Sequence, residues 1–202
     1  MMNAALALPE IKSKLPKIYS LQEYLKREEK TIEKHEFCKG QILTMPNAKF
    51  NHQLIIGNAV YALKHTLLQS PKRYLVIPDG LKVYIEPENI MVYPDALVIY
   101  EEPIYFQNNQ SVVVNPILII EVLSKSTRLY DNKTKFELYT LLPSFKEYIL
   151  IDTIKPKVET RFREEEDLWR INTVTGLDAN INLKSIGISV RSADLYDKIK
   201  WL

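Results

Sequence analysis

With a single cysteine, Cys38, the chain of 202 residues cannot form an intramolecular disulfide, and its fold must rest on buried apolar surface. That scarcity suits a reducing compartment, so a cytoplasmic location is expected. Glycine is also sparse, at five residues, and neither a Gly-rich phosphate loop nor a G-x-S-x-G nucleophile elbow occurs. Neither sign of charge dominates: 27 Lys+Arg against 25 Asp+Glu leave +2. A DNA-binding role would therefore need a local basic patch rather than a basic protein. Repeats and low-complexity tracts are absent. Residues 1–8 carry a short apolar patch with no basic region ahead of it, too short for a signal sequence and membrane stop, so a soluble protein with no membrane association is expected.

Nor do the three histidines and the cysteine combine into a zinc site. His35 and Cys38 stand an odd number of residues apart on one strand and so face opposite ways. His52 and His65 share a helix, yet their spacing leaves them more than about 90° apart around its axis.

Hydrophobic residues make up 46% of the chain, enough for a sizeable core in one domain. Residues 1–19 read as a flexible N-terminal arm and residues 20–202 as a single domain. Ser20-Leu21-Gln22-Glu23 fits a capping box that opens a short helix through Arg27. Residues 35–45 suggest two strands about a Lys39-Gly40 turn. Residues 51–69 have helical periodicity, with positions 52, 56, 59, 60, 63 and 67 on one face. Strands are expected at 74–77, 81–85, 91–100 and 117–123, the second half-exposed because it alternates. The polar run 107–111 reads as a loop. A second helix is expected over 127–142, then strands at 147–152, 157–162 and 168–174, and a last helix over 193–199 capped by Ser192. The class is α/β (α+β), with a mixed central sheet flanked by helices and an extra N-terminal helix and hairpin.

Chemistry is suggested where charge interrupts apolar sequence. Glu121 lies inside Pro116-Ile117-Leu118-Ile119-Ile120-Glu121-Val122-Leu123, a run typical of a strand buried on both faces. An ionised group there is costly without a cation, a metal or hydrogen-bond donors. Asp95 has a similar setting, after Pro94 and before Ala96-Leu97-Val98-Ile99-Tyr100. Two such carboxylates suggest a hard metal. Projecting Asp131 to Leu142 at 100° per residue gives an inward stripe of Phe136, Tyr139 and Leu142 that also takes in Asn132 and Lys135. A lysine is rarely buried without a partner, and Lys135 could reach Glu121 and Asp95; otherwise it snorkels over apolar surface. Glu36, on the first strand, is a further candidate whose face the pattern leaves open. His52, on the apolar side of the first long helix, is a supporting one. Asp79 in Pro78-Asp79-Gly80 is a turn residue.

Pro94-Asp95 followed by Glu121-Val122-Leu123 resembles the PD-(D/E)XK pattern of restriction-endonuclease-like nucleases. The longer string of Glu121 to Thr127, Asp131, Lys135, Tyr139 and Glu147 to Asp152 resembles a large bacterial branch of that superfamily, described as restriction endonucleases and long classed as a domain of unknown function. Glu36 with Gly40, and Pro46 followed by His52, fit its N-terminal part. One departure stands out: the superfamily's lysine would fall at Leu123, and in this branch Lys135 takes its place from the following helix. The resemblance implies a restriction-endonuclease-like core and a Mg²⁺-dependent endonuclease acting on DNA, with Mn²⁺ able to substitute. It implies Asp95, Glu121 and the carbonyl of Val122 or Leu123 as metal ligands. Lys135 would orient or help deprotonate water, Glu36 would complete the site, and His52 and Tyr139 would support it. Lys125, Arg128 and Lys133 would contact phosphates unless they are plain surface charges. A homodimer is implied, because cutting both strands needs two sites. The alternative is a catalytically silent nuclease-fold module that binds nucleic acid or a protein, its Lys135–Glu121–Asp95 group a buried ion network.

Overall fold

The computed structural model of the chain describes residues 17–201; residues 1–16, which hold most of the expected arm, lie outside the described residues. In chain order the elements are α1 (Leu21–Glu28), β1 (His35–Cys38), β2 (Gln41–Thr44), α2 (Phe50–Leu67), β3 (Tyr74–Pro78), β4 (Lys82–Ile85), β5 (Ile90–Val92) and β6 (Ala96–Tyr100). Then come β7 (Val112–Val113), β8 (Pro116–Leu123), a π-helical turn (Tyr130–Lys135) running into α3 (Phe136–Thr140), and β9 (Glu147–Asp152). β10 (Lys157–Arg163), β11 (Trp169–Thr175), β12 (Asn180–Leu183), β13 (Ile188–Arg191) and α4 (Ser192–Leu195) complete the chain.

Two sheets carry the architecture. One has six strands in the order β11-β10-β9-β8-β6-β3, the other five in the order β2-β1-β5-β4-β7, and β12-β13 form a separate hairpin. The six-stranded sheet is mixed: β8 and β9 run parallel while its other pairs are antiparallel. Strand alternation sorts its side chains into two cores. Leu118, Ile120 and Val122 face α2, α4 and the β12-β13 hairpin, whereas Ile119 and Leu123 face α3 and the five-stranded sheet. That second sheet is itself covered on both sides. Val83, Ile85, Ile90 and Val92 point to the inter-sheet core, and Tyr84 and Met91 point outward to Tyr24 of α1.

Local signals behave as their chemistry dictates. The capping box forms, with Glu23 N–H donating to Ser20 Oγ at 3.2 Å and Ser20 N–H to Glu23 Oε2 at 2.7 Å. The β1-β2 turn has positive φ at both Lys39 (48°) and Gly40 (91°), as a two-residue hairpin requires. A Cβ at Gly40 would also stand 2.6 Å from Ile18 Cγ2. Gly40→Ala is therefore expected to cost about 1–3 kcal/mol through strain and crowding, read as a lower midpoint in urea unfolding at unchanged slope.

Four expectations are corrected. Residues 91–100 do not make one strand: Tyr93-Pro94-Asp95 breaks them into β5 and β6, which belong to different sheets. β4 is not half-exposed but buried throughout, because α1 covers the face that alternation assigned to solvent. The last helix spans only Ser192–Leu195, and its cap position is Arg191 rather than Ser192. β7, β12 and β13 were not expected from the sequence. Among the described residues no helix is long and apolar enough to cross a membrane.

Candidate active site

Glu121 and Asp95 come together through strand register. β6 and β8 are antiparallel with Ala96 opposite Ile120 and Leu97 opposite Ile119, so one more step sets Asp95 opposite Glu121. Like charges directly opposite in a sheet repel, and the surroundings answer that repulsion. Glu121 shares the face of Ile119 and Leu123, so its carboxylate enters the inter-sheet layer with 2% of the residue exposed. Glu36 enters the same layer from the other sheet, because its neighbour Phe37 faces outward to Tyr24 while Cys38 faces inward.

The π turn closes the group. Lys135, 1% exposed, places Nζ 3.0 Å from Glu121 Oε1, 3.3 Å from Glu36 Oε1 and 3.7 Å from Asp131 Oδ1. Nζ also donates to the carbonyl of Tyr93 at 2.9 Å. The Tyr139 hydroxyl donates to Glu121 Oε1 at 3.0 Å, and the Tyr130 hydroxyl to Glu36 Oε2 at 2.8 Å. Tyr93 N–H donates to Glu36 Oε1 at 3.2 Å. Asp95, just before β6, is the most open of the four carboxylates, its side chain 19% exposed. Its Oδ2 accepts the Val122 N–H at 2.7 Å, and its Oδ1 lies 3.1 Å from Nε2 of His52, delivered by the first turn of α2.

Negative charge is in surplus. Glu36, Asp95, Glu121 and Asp131 surround one ammonium and one imidazole. Burial, first of all, pushes the Glu121 carboxyl well above the usual range; Lys135 pulls it down, but Asp95 and Asp131 push it up again. Asp131 is raised for the same leading reason. Burial alone would lower Lys135, yet Glu121, Glu36, Asp131 and Asp95 together hold it well above its ordinary value. Against burial, the bond to Asp95 raises His52, whose Nδ1 is buried without a partner.

The donor set suits a hard divalent cation. Among the described residues no three His, Cys, Asp or Glu side chains converge as a ready-made cage. Mg²⁺ asks for less, one or two carboxylates with water and phosphate filling the rest of its octahedron. Each bonded Asp95 oxygen keeps a second lone pair. The Val122 N–H donates to Asp95, whereas the Leu123 carbonyl accepts the Thr153 hydroxyl at 2.8 Å. Since a strand residue's carbonyl points to the same side as its N–H, Val122 is the main-chain candidate on the Asp95 side.

The remaining expected residues separate. Lys125 and Lys133 are exposed, whereas Arg128 Nη1 is paired with Asp152 Oδ2 at 2.9 Å rather than free for phosphate. Asn132, expected on the inward stripe, faces the sheet, where its carbonyl and Oδ1 accept from Arg161 of β10. Asp79 lies in its turn and pairs with Lys34 at 2.5 Å. Sequence reasoning gave no role to Tyr93 or Tyr130. Tyr93 acts through its main chain, for which no side-chain pattern exists, and Tyr130 precedes the window in which the helix was projected.

Comparison with known proteins agrees in outline. The Uma2 family, described as "Putative restriction endonuclease", matches residues 21–192. Two uncharacterized proteins of Synechocystis sp. are similar: sll1609 is 34% identical over 85% of this chain and 96% of its own length, and slr1290 is 31% identical over 90% and 92%. A crystal structure from Anabaena variabilis ATCC 29413, described as a "putative nuclease belonging to DUF820", superposes with a TM-score of 0.69 at 17% identity, covering 89% of this chain and 98% of that one. The last likeness is one of fold alone.

Proposed function

The chain belongs to the Uma2 family of restriction-endonuclease-like proteins, and from that premise we propose that it is a Mg²⁺-dependent endonuclease hydrolysing DNA phosphodiester bonds at the Asp95–Glu121–Lys135 cluster. The supporting observation is the surplus of carboxylate over ammonium in a buried layer with one open member, Asp95. Such a site gains by taking up a divalent cation.

Asp95, Glu121 and the Val122 carbonyl would hold Mg²⁺, and Mn²⁺ could replace it. When bound, the ion supplies a Lewis acid for the phosphate and an activated water. Lys135 stays an ammonium, because four carboxylates hold its proton. Its part is therefore to donate hydrogen bonds and offset the charge that develops on the phosphorane, not to remove a proton from water. Tyr139 and Tyr130 fix the rotamers of Glu121 and Glu36 by hydrogen bonds to their oxygens, and His52 aims Asp95. Lys125 and Lys133 are available to contact phosphates, whereas Arg128 must first leave Asp152. Two copies of the chain would serve the two DNA strands.

A second reading draws on the closure of the cluster: Lys135 Nζ is already bonded to Glu121 and Tyr93, as a silent module with a purely structural ion network would have it. Cleavage of supercoiled plasmid in Mg²⁺ or Mn²⁺, abolished by chelation, is the result expected of the nuclease. Tight metal-independent DNA binding without cleavage would favour the silent module.

Metal uptake should also depend on pH. Glu121, raised in the fold above its reference value of 4.5, holds a proton that the unfolded chain has lost. The metal-free protein should thus lose stability as pH rises from about that reference through the raised value. Cation binding displaces this proton, so the gain in Tm on adding Mn²⁺ is expected to grow with pH across the same window. A Tm gain independent of pH would count against Glu121 as a ligand.

A further inference from the structure

Two residues with no part in the proposed chemistry hold the π turn from beneath. Phe136 N–H donates to the carbonyl of Lys133 rather than to that of Asn132, its α-helical partner. The Asn132 carbonyl is taken instead by Arg161 of β10: Nη1 donates to Asn132 O at 2.7 Å and Nη2 to Asn132 Oδ1 at 2.6 Å. One residue earlier, the Tyr148 hydroxyl of β9 donates to the carbonyl of Asp131 at 2.8 Å. Arg161 and Tyr148 are directly opposite in the β9-β10 register, so the two donors rise side by side from one sheet.

Arg161 is held as firmly as it holds. It is 7% exposed, its Nε and Nη2 donate to Glu159 Oε1 at 2.9 and 2.7 Å, and its guanidinium lies 4.5 Å from the centroid of the Phe136 ring. The planar fork of an arginine matches a carbonyl and an amide oxygen of one residue, which a lysine cannot do. π turns are rare and short because they give up regular helical bonding, and a buried main-chain carbonyl so released needs another donor.

We propose that Arg161 is a positioning residue: with Tyr148 it keeps the Tyr130–Lys135 turn in its π form, and so places the Lys135 ammonium between Glu121 and Glu36. If the clamp were removed, the turn would tighten toward α-helical winding, and the angular offset between Asp131 and Lys135 would change. This rests on the reading of Lys135 as the functional amine, but it can be tested without cleavage.

The test is acetylation of the native protein by acetic anhydride, with Lys135 followed by peptide mass spectrometry and exposed Lys125 as internal reference. In Arg161→Met, Lys135 labelling relative to Lys125 is expected to rise by about tenfold, as a buried group gains local opening. Arg161→Lys and Asn132→Ala should give smaller rises, and they decide the matter if Arg161→Met does not fold. Where the wild type cleaves plasmid, kcat should fall in the same order with KM little changed. Folded Arg161 variants that keep Lys135 as protected as in the wild type would overturn the proposal. An inactive wild type would count against the nuclease reading but leave the labelling result standing.

Discussion

Glu121→Gln should lose metal-dependent plasmid cleavage by about three orders of magnitude, the scale on which a central electrostatic group contributes, and should unfold no more easily than the wild type. The amide is nearly isosteric and its oxygen still accepts from Tyr139 and Lys135, at 3.0 Å each in the native protein. What disappears is a charge that burial and two neighbouring carboxylates disfavour. Because the raised pKa makes the native state lose stability as pH climbs above the reference value of 4.5, and glutamine does not titrate, the variant's advantage in Tm should widen with pH in that window. The Mn²⁺-induced rise in Tm should vanish with the charge. Such a pair of results, more stable yet inactive, is the signature of a residue kept for function. Cleavage within about tenfold of the wild type would remove Glu121 from the proposed mechanism.

Glu121 and Asp95 could be read from the sequence because a charge in an apolar strand is thermodynamically conspicuous. Their mutual geometry could not. It depends on the break at Tyr93-Pro94-Asp95, which sends β5 and β6 into different sheets, whereas periodicity saw one continuous run. Glu36 was undecidable for a related reason: β1 is buried on both faces, so the solvent side that normally breaks the tie is missing. The same burial misled the reading of β4. Lys135 was found by helical projection even though its turn is π-wound. Asn132, which the projection also turns inward, likewise faces the sheet, where Arg161 meets it. β12 and β13 carry weak signals, four residues each with a partly exposed pattern, and β7 has only two residues. Short strands are specified by their partners rather than by their own sequence.

Lys135→Met is expected to produce the largest loss of stability, about 3–5 kcal/mol near neutral pH, as befits a buried ion network deprived of its only ammonium. Glu36, Glu121 and Asp131 all lie within 3.7 Å of Nζ, in a layer where they are 2–4% exposed, and methionine brings no charge to meet them. Lys135 lowers the Glu121 and Asp131 pKa values in the wild type. Without it these carboxyls take up protons at still higher pH. The deficit should therefore shrink as pH falls through their raised values. A divalent cation should stabilise the variant at neutral pH more than it stabilises the wild type, since it meets a larger uncompensated charge. Cleavage should nonetheless stay down by about three orders of magnitude in the cation-rescued variant. That separation distinguishes the two readings of the cluster: a structural network is restored by any charge that fits, whereas a phosphoryl transfer site still lacks the donor that meets the developing oxyanion. Urea unfolding across pH, with and without Mn²⁺, measures the first, and plasmid cleavage the second. A Met variant as stable as the wild type at neutral pH would show that Lys135 does not neutralise these carboxylates, and cleavage recovered on rescue would assign Lys135 to structure alone.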